Sequence, residues 1–384
     1  MKLLFIGLVL AYFLTFLIRM IMASIYAKKH SHYCQKKINE KDFTIVQPIL
    51  SGDENLRSCL IANLKNFEKM SFIWLIDKKD QLAQRIAKEI IKKPELSKRV
   101  TIKLFNDVAP NKNPKVFKLK SVVDKLKTKY LIVLDDDSII ESTHFGKIWQ
   151  SESISTPHVI TGLPYSNTTK GFFSLLVSSF VNSNAHLTYL PLALIKKNHS
   201  LNGMFYILPT SLAKKQDLFQ KIENELCDDY AVARYIESIN GHIIQSTIPC
   251  EVSTSIIGFR HYLRLMKRWL IFSNYYFKNQ FSIELVGLIL VPAFIPFLLL
   301  VLASALGFWY LLILFALMFF KSAINLLVRK NIYGVRQKII FVLIEPLTDL
   351  LQFLHCLHAS ISPHTIFWRN KKISFHDNQI NYEV

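Results

Sequence analysis

Short apolar runs alternate with amphipathic stretches along the first part of the chain. Four apolar, β-branched runs predict strands at residues 43–50, 72–76, 100–105 and 130–134. Between them, leucine and isoleucine recur every three or four positions, which predicts helices. Alternation of strands and helices is typical of a parallel sheet flanked by helices. The pattern therefore predicts an α/β fold, in a domain that we place at residues 40–280.

Longer apolar segments lie on both sides of this domain. Residues 1–27 predict a transmembrane signal anchor, because a spanning helix needs about 20 apolar residues. Residues 284–328 predict a transmembrane hairpin of two helices separated by the small residues at 304–307. Lysine and arginine follow the anchor and flank the hairpin, and such charges stay on the cytoplasmic side. The domain between them is therefore predicted to be cytoplasmic, with the start of the chain outside.

Two further apolar segments have a less direct interpretation. Within the C-terminal region 339–384, the apolar part 339–361 carries Glu345 and Asp349, whose insertion would cost about 2.5–3.5 kcal/mol each. We interpret it as an interfacial or bundle-packed helix. Residues 171–195 contain no Asp, Glu, Lys or Arg, but a crossing there would separate Asp229 from Asp135. We interpret this second segment as an apolar platform lying on the membrane.

Composition supports a membrane protein. The 384 residues are 51% hydrophobic and carry a net charge of +19. Zinc-finger spacing and RNA-binding aromatic signatures do not occur, so we predict no nucleic-acid partner. Five dispersed cysteines, without a CxxC pair, indicate a reducing compartment rather than a disulfide framework or a zinc site. Abundant lysine, isoleucine, asparagine and phenylalanine indicate an AT-rich bacterium, and hence its inner membrane.

Acidic residues follow two of the predicted strands. Asp77 ends the second strand, and Asp135, Asp136 and Asp137 follow the fourth. In open α/β sheets ligands bind beyond the carboxyl ends of strands, so these carboxylates should face one crevice. Adjacent carboxylates repel, unless Mg²⁺ or Mn²⁺ with substrate phosphates neutralises them or water solvates them. The sequence thus predicts either a metal site at Asp135 and Asp137 or a solvated acidic turn.

A lysine-rich stretch precedes the fourth strand. Lys115, in the sequence Asn113-Pro114-Lys115, is suited to meeting phosphates on a loop. For the lysines from Lys118 to Lys129 we favour a solvated helix face. The sequence contains neither GxGxxG after the first strand nor GxxxxGK[ST], which disfavours dinucleotide and P-loop sites.

Two downstream pairs complete the candidate chemistry. Asp228 and Asp229 begin a predicted helix, where carboxylates either cap free N–H groups or include a general base. Arg268 and Trp269 could bind a pyrophosphate and a sugar or lipid face. An ordinary cationic helix on the membrane surface, with an aromatic anchor, explains Arg268 and Trp269 equally well.

Together these motifs resemble the family 2 and family 21 glycosyltransferases. They are most similar to ceramide glucosyltransferases and bacterial hopanoid-biosynthesis glycosyltransferases. The tail, with Pro363 and Phe367-Trp368-Arg369, is similar to the tail of those lipid-acting enzymes. The resemblance covers nearly the whole chain, in this order: an N-terminal anchor, Asp77, Asn113-Pro114-Lys115, Asp135-Asp136-Asp137, Asn202-Gly203-Met204, Asp228-Asp229-Tyr230, Arg268-Trp269 and a C-terminal membrane region.

The resemblance implies a GT-A (Rossmann-like) fold and inverting transfer of a hexose from a UDP-sugar to a membrane lipid hydroxyl, with Mg²⁺ or Mn²⁺. It assigns roles as follows: Asp77 and Lys115 to the nucleotide-sugar, Asp135 and Asp137 to the metal-diphosphate, Asp229 to the base, Gly203 and Asp228 to the acceptor region, and Arg268 and Trp269 to closure over the donor.

The chain departs from the family pattern in two places. Leu265 stands where a Gln or Arg usually precedes the Arg-Trp pair, and Asp137 is present where many lipid-acting relatives lack it. Two alternative functions stay open at this point. One is a processive polysaccharide synthase, which needs a channel of several crossings. The other is a non-catalytic protein that binds at the membrane surface.

Overall fold

A computed structural model describes residues 1–30, 38–109, 111–147, 158–362, 365–368, 371–376 and 379–382. Pro363 and Arg369 of the tail motif lie outside these described residues. The chain forms two compact units. We call one the helical unit: Met1–Ser31, Tyr165–Asn198 and Ile256–Pro363. We call the other the sheet unit: His32–Pro164, His199–Ser255 and His364–Val384.

The sheet unit is built on eight strands in the order β3-β2-β1-β4-β7-β6-β8-β5, and a separate three-stranded sheet has the order β11-β10-β9. The strands are β1 Phe43–Ile49, β2 Ser71–Asp77, β3 Val100–Phe105, β4 Tyr130–Leu134, β5 Ser138–Ile140, β6 His158–Tyr165, β7 Phe205–Pro209, β8 His242–Val252, β9 Thr365–Trp368, β10 Lys371–His376 and β11 Gln379–Tyr382.

The predicted parallel arrangement is confirmed for β1 to β4, which pair in parallel. The apolar pattern did not predict the other half of the sheet, where β7 runs antiparallel to β4 and β6 runs antiparallel to β7. One reason lies in β6, which contains Gly162 and Pro164, residues that normally interrupt strands. Gly162 is required there because a Cβ would lie 2.2 Å from the ring of Phe205.

The helices are α1 Lys2–His30, α2 Leu56–Asn66, α3 Gln81–Ile90, α4 Pro94–Ser97, α5 Pro114–Val123, α6 Phe172–Leu194, α7 Thr210–Lys215, α8 Leu218–Lys221, α9 Asp228–Ser238, α10 Gly258–Asn279, α11 Ile283–Leu285, α12 Val291–Leu306, α13 Phe308–Tyr333 and α14 Ile340–Ile361. Short 3₁₀ turns occupy Glu40–Asp42 and Ser142–Lys147, and a π turn occupies Val286–Leu290.

Alternate residues of the central strands point to opposite faces of the sheet, as strand geometry requires. On β1, Ile45 packs in the core under α2 and α3, whereas Val46 packs in the core under α5 and α9. Helices therefore cover both faces, which explains why β1 and β4 are buried along almost their whole length.

Four helical segments in the described part of the chain are long and apolar enough to cross a membrane: Lys2–His30, Ile283–Leu306, Phe308–Tyr333 and Ile340–Ile361. The first three include the predicted anchor and hairpin. Gly307 separates the two helices of the hairpin, α12 and α13. Its φ is 108°, a backbone conformation that favours glycine. All four segments belong to the helical unit, which also contains α6 and α10.

The acidic residues of α14 have partners inside the helical unit. Lys321 of α13 lies 2.7 Å from both Glu345 and Asp349, and Arg329 lies 2.8 Å from Glu345. Charges within apolar helices are tolerated when they pair with one another. The cost that the sequence analysis assigned to inserting Glu345 and Asp349 is therefore largely offset by their partners.

Candidate active site

The three consecutive aspartates after β4 each have a different environment. Lys115 Nζ lies 2.8 Å from Asp135 Oδ1. Asp136 accepts a hydrogen bond of 2.7 Å from the Leu50 backbone N–H at the end of β1. Asp137 accepts one of 2.7 Å from the Thr254 hydroxyl. Separate donors thus relieve the mutual repulsion that adjacent carboxylates would otherwise have.

The start of α5 places Lys115. Asn113 is the N-cap, and its side-chain oxygen accepts from the backbone N–H of Lys115 and of Val116, at 3.0 and 3.3 Å. Pro114 occupies the first helical turn, where a missing N–H costs little. The Asn113 amide also donates to the Glu225 carbonyl at 3.2 Å, which ties α5 to the segment before α9.

Lys115 joins three parts of the site. Its ammonium lies 2.8 Å from Asp135 Oδ1 and 3.1 Å from Asp228 Oδ2, and it donates to the Gly203 carbonyl at 2.8 Å. Burial alone would lower the pKa of Lys115, but the Asp135 and Asp228 carboxylates reverse this and raise it well above its ordinary value. Lys115 therefore stays charged and holds the end of β4 beside the start of α9.

Lys118, one turn further along α5, corrects the sequence analysis. The prediction of a solvated helix face is wrong for this residue, because Lys118 is buried and its Nζ lies 2.7 Å from Asp77 Oδ1. Lysines at positions i and i+3 share one face of a helix. Through Lys115 and Lys118, α5 thus contacts acidic residues at the carboxyl ends of both β2 and β4.

The start of α9 holds Asp229. Cys227 is the N-cap residue, and it makes no side-chain capping bond to the described part of the helix. Asp229 Oδ1 instead accepts from its neighbours, the Tyr230 backbone N–H at 2.6 Å and the Cys227 thiol at 2.7 Å. Asp228 and Asp229 are therefore the first helical residues rather than N-caps, and Asp229 satisfies one free N–H group of the first turn.

Gly203, which the family resemblance assigned to the acceptor region, lies beside Asp229. A Cβ on Gly203 would lie only 2.9 Å from Asp229 Oδ2 and 3.0 Å from its Cβ. The backbone at 203 and the carboxylate at 229 therefore lie close together, although they are distant in the sequence. The structure brings Lys115, Asp135, Gly203, Asp228 and Asp229 together in the sheet unit.

The surroundings of Asp229 change the pKa of its carboxyl. Burial raises the pKa of its carboxyl to about 6, and the charge of Asp228 adds to the shift, while hydrogen bonds from Cys227 and Tyr230 and the charge of Lys115 oppose it. A carboxyl with a pKa near 6 is ionised at neutral pH, yet it binds a proton more readily than an ordinary aspartate.

The family follows from comparison with known proteins. The model described as glycosyl transferase family 21 matches residues 7–380. The chain belongs to glycosyl transferase family 21. No curated protein is a significant match to the sequence.

Three solved structures are similar to this family 21 glycosyltransferase, and the first of them shows its fold. A mannosyltransferase from Pyrobaculum calidifontis, PcManGT, solved in complex with GDP-Man and Mn²⁺, is similar at a TM-score of 0.53 and 13% identity, over 93% of this chain and 98% of that one. GalNAc-T7, solved with UDP, GalNAc and Mn²⁺, is similar at a TM-score of 0.42 and 10% identity, over 61% of this chain and 48% of that one. S. aureus TarS is similar at a TM-score of 0.38 and 11% identity, over 89% of this chain and 60% of that one. The predicted GT-A fold is confirmed.

Arg268 and Trp269 lie in α10, which belongs to the helical unit of the glycosyltransferase. The Trp269 ring stacks on Phe180 of α6, with 6.2 Å between ring centroids. Leu265, the residue that departs from the family pattern, is buried in the same unit. The role of Arg268 and Trp269 in closing over a donor stays a prediction.

The residues of this family 21 enzyme fit a metal shared with a donor. In the described ranges, groups of three or more His, Cys, Asp or Glu side chains that could hold a metal ion do not occur. Mg²⁺ and Mn²⁺ sites at phosphates often use only one or two carboxylates, with phosphate oxygens and water completing the shell. The Asp135 side chain keeps 31% of its surface exposed, which leaves an oxygen-donor surface for such an ion.

The sequence patterns did not indicate the place in the site of Lys118, Thr254, Cys227 and Tyr206. Thr254 lies more than a hundred positions from the Asp137 carboxylate that it contacts. Its sequence context carries no signal for this contact. Cys227 could have been found, because it directly precedes the two acidic residues at a helix start.

Proposed function

We propose that this glycosyltransferase moves a hexose from a UDP-sugar to the hydroxyl group of a membrane lipid, with inversion at the anomeric carbon. One observation carries the proposal: Asp229, with a pKa raised to about 6, lies beside Gly203 next to the Lys115 ion pairs. Direct displacement requires a base that removes the proton of the attacking hydroxyl group. Asp229 is the residue whose protonation chemistry fits that requirement.

The other residues of the sheet unit act on the donor. Asp77, held by Lys118, binds the uridine part, and Asp135 with Asp137 faces the diphosphate. Bound Mg²⁺ or Mn²⁺ would neutralise the negative charge that develops on the leaving diphosphate. PcManGT, which has the same fold, was solved with GDP-Man and Mn²⁺, and this supports a nucleotide-sugar and a divalent metal here. Lys115 keeps Asp135 and Asp228 in place.

The acceptor is a lipid similar to ceramide or a hopanoid. Four segments long and apolar enough to cross a membrane support an acceptor that is itself in the membrane. Arg268 and Trp269, on the cationic helix α10, would close over the donor. We place the sheet unit on the cytoplasmic side of a bacterial inner membrane, because UDP-sugars are made in the cytoplasm.

The test of the base is Asp229→Asn, with Asp124→Asn as the matched control at an exposed position of the same unit. Asn retains an oxygen that can accept from Tyr230 and Cys227, so the fold and donor affinity should be preserved. The transfer rate should fall by about 10²–10⁴-fold, since a positioned base contributes that much. Near wild-type transfer by Asp229→Asn would overturn the mechanism.

Intact-lipid mass spectrometry of cells with and without the protein identifies the acceptor, and the absence of any hexosyl-lipid difference would count against a lipid product.

A further inference from the structure

Cys227 and Tyr230 both contact the same oxygen of the Asp229 carboxylate. The Cys227 Sγ lies 2.7 Å from Asp229 Oδ1, and the Tyr230 backbone N–H donates to Oδ1 at 2.6 Å. Oδ2 is on the side of Gly203, where a Cβ would come within 2.9 Å of it. The two oxygens of the carboxylate therefore have different surroundings: Oδ1 accepts from two donors, and Oδ2 lies toward Gly203.

The Cys227 thiol remains a hydrogen-bond donor at neutral pH. Burial raises the pKa of this thiol well above its ordinary value, and the negative charges of Asp229 and Asp228 raise it further. Only a thiolate is a nucleophile or a strong metal ligand. The protonated thiol beside Asp229 is thus suited to orienting a carboxylate and unsuited to covalent chemistry.

We propose that Cys227 is a positioning residue for the general base, whose thiol holds Asp229 Oδ1 and so presents Oδ2 to the acceptor hydroxyl. This inference rests on the proposed function, because it assigns Cys227 a role through Asp229. The proton from the acceptor goes to Oδ2 while the thiol keeps its own proton on sulfur. Cys227 differs in this from Lys115, which contacts Asp228 and the Gly203 carbonyl.

Among the described residues, three charged or titratable groups besides Cys227 face Asp229. Asp228 neighbours it on α9 and favours its protonated form, whereas Lys115 of α5 favours its ionised form. The third, the Tyr206 phenol on β7, is buried among Lys115, Asp228, Asp135 and Asp229, and its pKa is raised, chiefly by that burial. It stays neutral across the range in which Asp229 titrates. Loss of the thiol donor, which stabilises the ionised carboxylate, should therefore make Asp229 bind its proton more tightly.

The experiment compares Cys227→Ala with Cys227→Ser in the full-length membrane protein. The readout is the pH dependence of kcat/KM for the lipid at saturating donor. The wild type should lose activity below about pH 6, the pKa of Asp229. In Cys227→Ala this limb should move up by about 0.5–1 pH unit, since a hydrogen bond to a charged group is worth about one to two such units and a thiol is a weak donor. In Cys227→Ser, where a hydroxyl replaces the donor, the limb should stay at or below its wild-type position.

Comparison of Cys227→Ala with Cys227→Ser separates the effect of the hydrogen bond from the effect of packing. Both side chains are smaller than Cys, so a role in packing alone would move the two variants together, and that result would overturn the proposal. Superimposed profiles of Cys227→Ala and the wild type would overturn it as well. Thermal unfolding of both variants confirms that the fold is retained.

A spectroscopic measurement tests the hydrogen bond without using activity. The S–H stretching band of Cys227, isolated as the infrared difference between wild type and Cys227→Ser, should shift as Asp229 titrates near pH 6. The same band should lose this pH dependence in Asp229→Asn. A band insensitive to pH in the wild type overturns the inference. Near wild-type transfer by Asp229→Asn overturns the base assignment instead, even where the band titrates, so the two failures are distinguishable.

Discussion

Gly203 illustrates at the scale of one residue how the site depends on a missing side chain. Its carbonyl accepts from Lys115 at 2.8 Å, and its α-carbon faces the Asp229 carboxylate. A side chain at this position would occupy the space beside Oδ2. The glycine is therefore needed for close approach between the backbone and the base, rather than for an unusual backbone angle.

Gly203→Ala should impair transfer more than it impairs donor binding. The added Cβ would stand 2.9 Å from Asp229 Oδ2, so the carboxylate must move. A displacement of about 1 Å at a reacting group can cost about 10²-fold in rate. Steady-state kinetics and donor titration measure the two effects separately. Gly7→Ala is the control, since a Cβ there has no neighbour within 4 Å among the described residues. Equal transfer rates in the two variants would contradict the proposed contact.

Asp228→Asn should shift the pH dependence of the reaction in the opposite direction to Cys227→Ala. Burial and the Asp228 charge raise the pKa of Asp229 to about 6, so the base is protonated and inactive below that pH. Without the neighbouring negative charge the pKa should fall, and the acidic limb of kcat/KM should move to lower pH. A limb that stays in place or moves up would show that Asp228 does not set the basicity of Asp229.

The same raised pKa affects stability, with a definite sign. A group whose pKa is higher in the folded state favours folding when it is protonated. The contribution of Asp229 is fully present below its unfolded value of about 3.9 and is lost as the pH rises through about 6. The active form of the base is thus the form that folding disfavours.

At the scale of elements, buried charge pairs connect α13 and α14 in the helical unit. Glu345 is fully buried and accepts from Lys321, Asn325 and Arg329 at 2.7–2.8 Å. Two of these donors are cations, and Lys321 also contacts Asp349 at 2.7 Å. Paired charges of this kind fix which face of each helix meets its neighbour, because any rotation would leave an ion without a partner.

Glu345→Gln should destabilise the helical unit strongly. Removing one partner of a buried ion pair typically costs about 3–5 kcal/mol, because the remaining charges lose their compensation. Thermal unfolding in detergent measures the loss. Glu68→Gln, at an exposed position of the sheet unit, serves as the control for loss of one carboxylate. If the two variants unfold at the same temperature, the charge network contributes nothing measurable to stability.

At the scale of the whole molecule, chain order limits the number of membrane crossings. The sheet unit contains His32–Pro164 and also His364–Val384, which follow α14. We expect the parts of this unit to lie on one side of a membrane, which would require an even number of crossings between them. The hairpin of α12 and α13 would supply two. A full crossing by α14 would make the number odd, although the length and composition of α14 would permit a crossing.

A reporter fused to Val384 should therefore read as cytoplasmic, and a reporter at Met1 as external. The expected topology is three crossings, with α14 packed in the bundle or at the interface, as the sequence analysis predicted for residues 339–361. A protease-protection assay on the same fusions provides an independent readout. An external signal at Val384 would show that α14 crosses and that the C-terminal strands belong elsewhere.

The sequence by itself determined the features that depend on neighbours along the chain. Strands β1 to β4 were predictable because apolar runs report burial locally, and the acids at their ends were predictable because parallel strands share one carboxyl edge. Hydropathy and length likewise predicted the helices of the anchor and the hairpin. The order of the motifs was sufficient to indicate the family.

Only the tertiary structure decided which side chains meet. Lys118 and Lys120 look alike in sequence, yet the first is buried against Asp77 and the second pairs with Glu223, which is 103 positions away. Similarly, Lys115 reaches a carbonyl 88 positions away. Such contacts depend on how strands and helices pack, and local propensity carries no information about a partner so distant in the chain. The basicity of Asp229 belongs to this class, because it arises from burial and from charges brought together by folding.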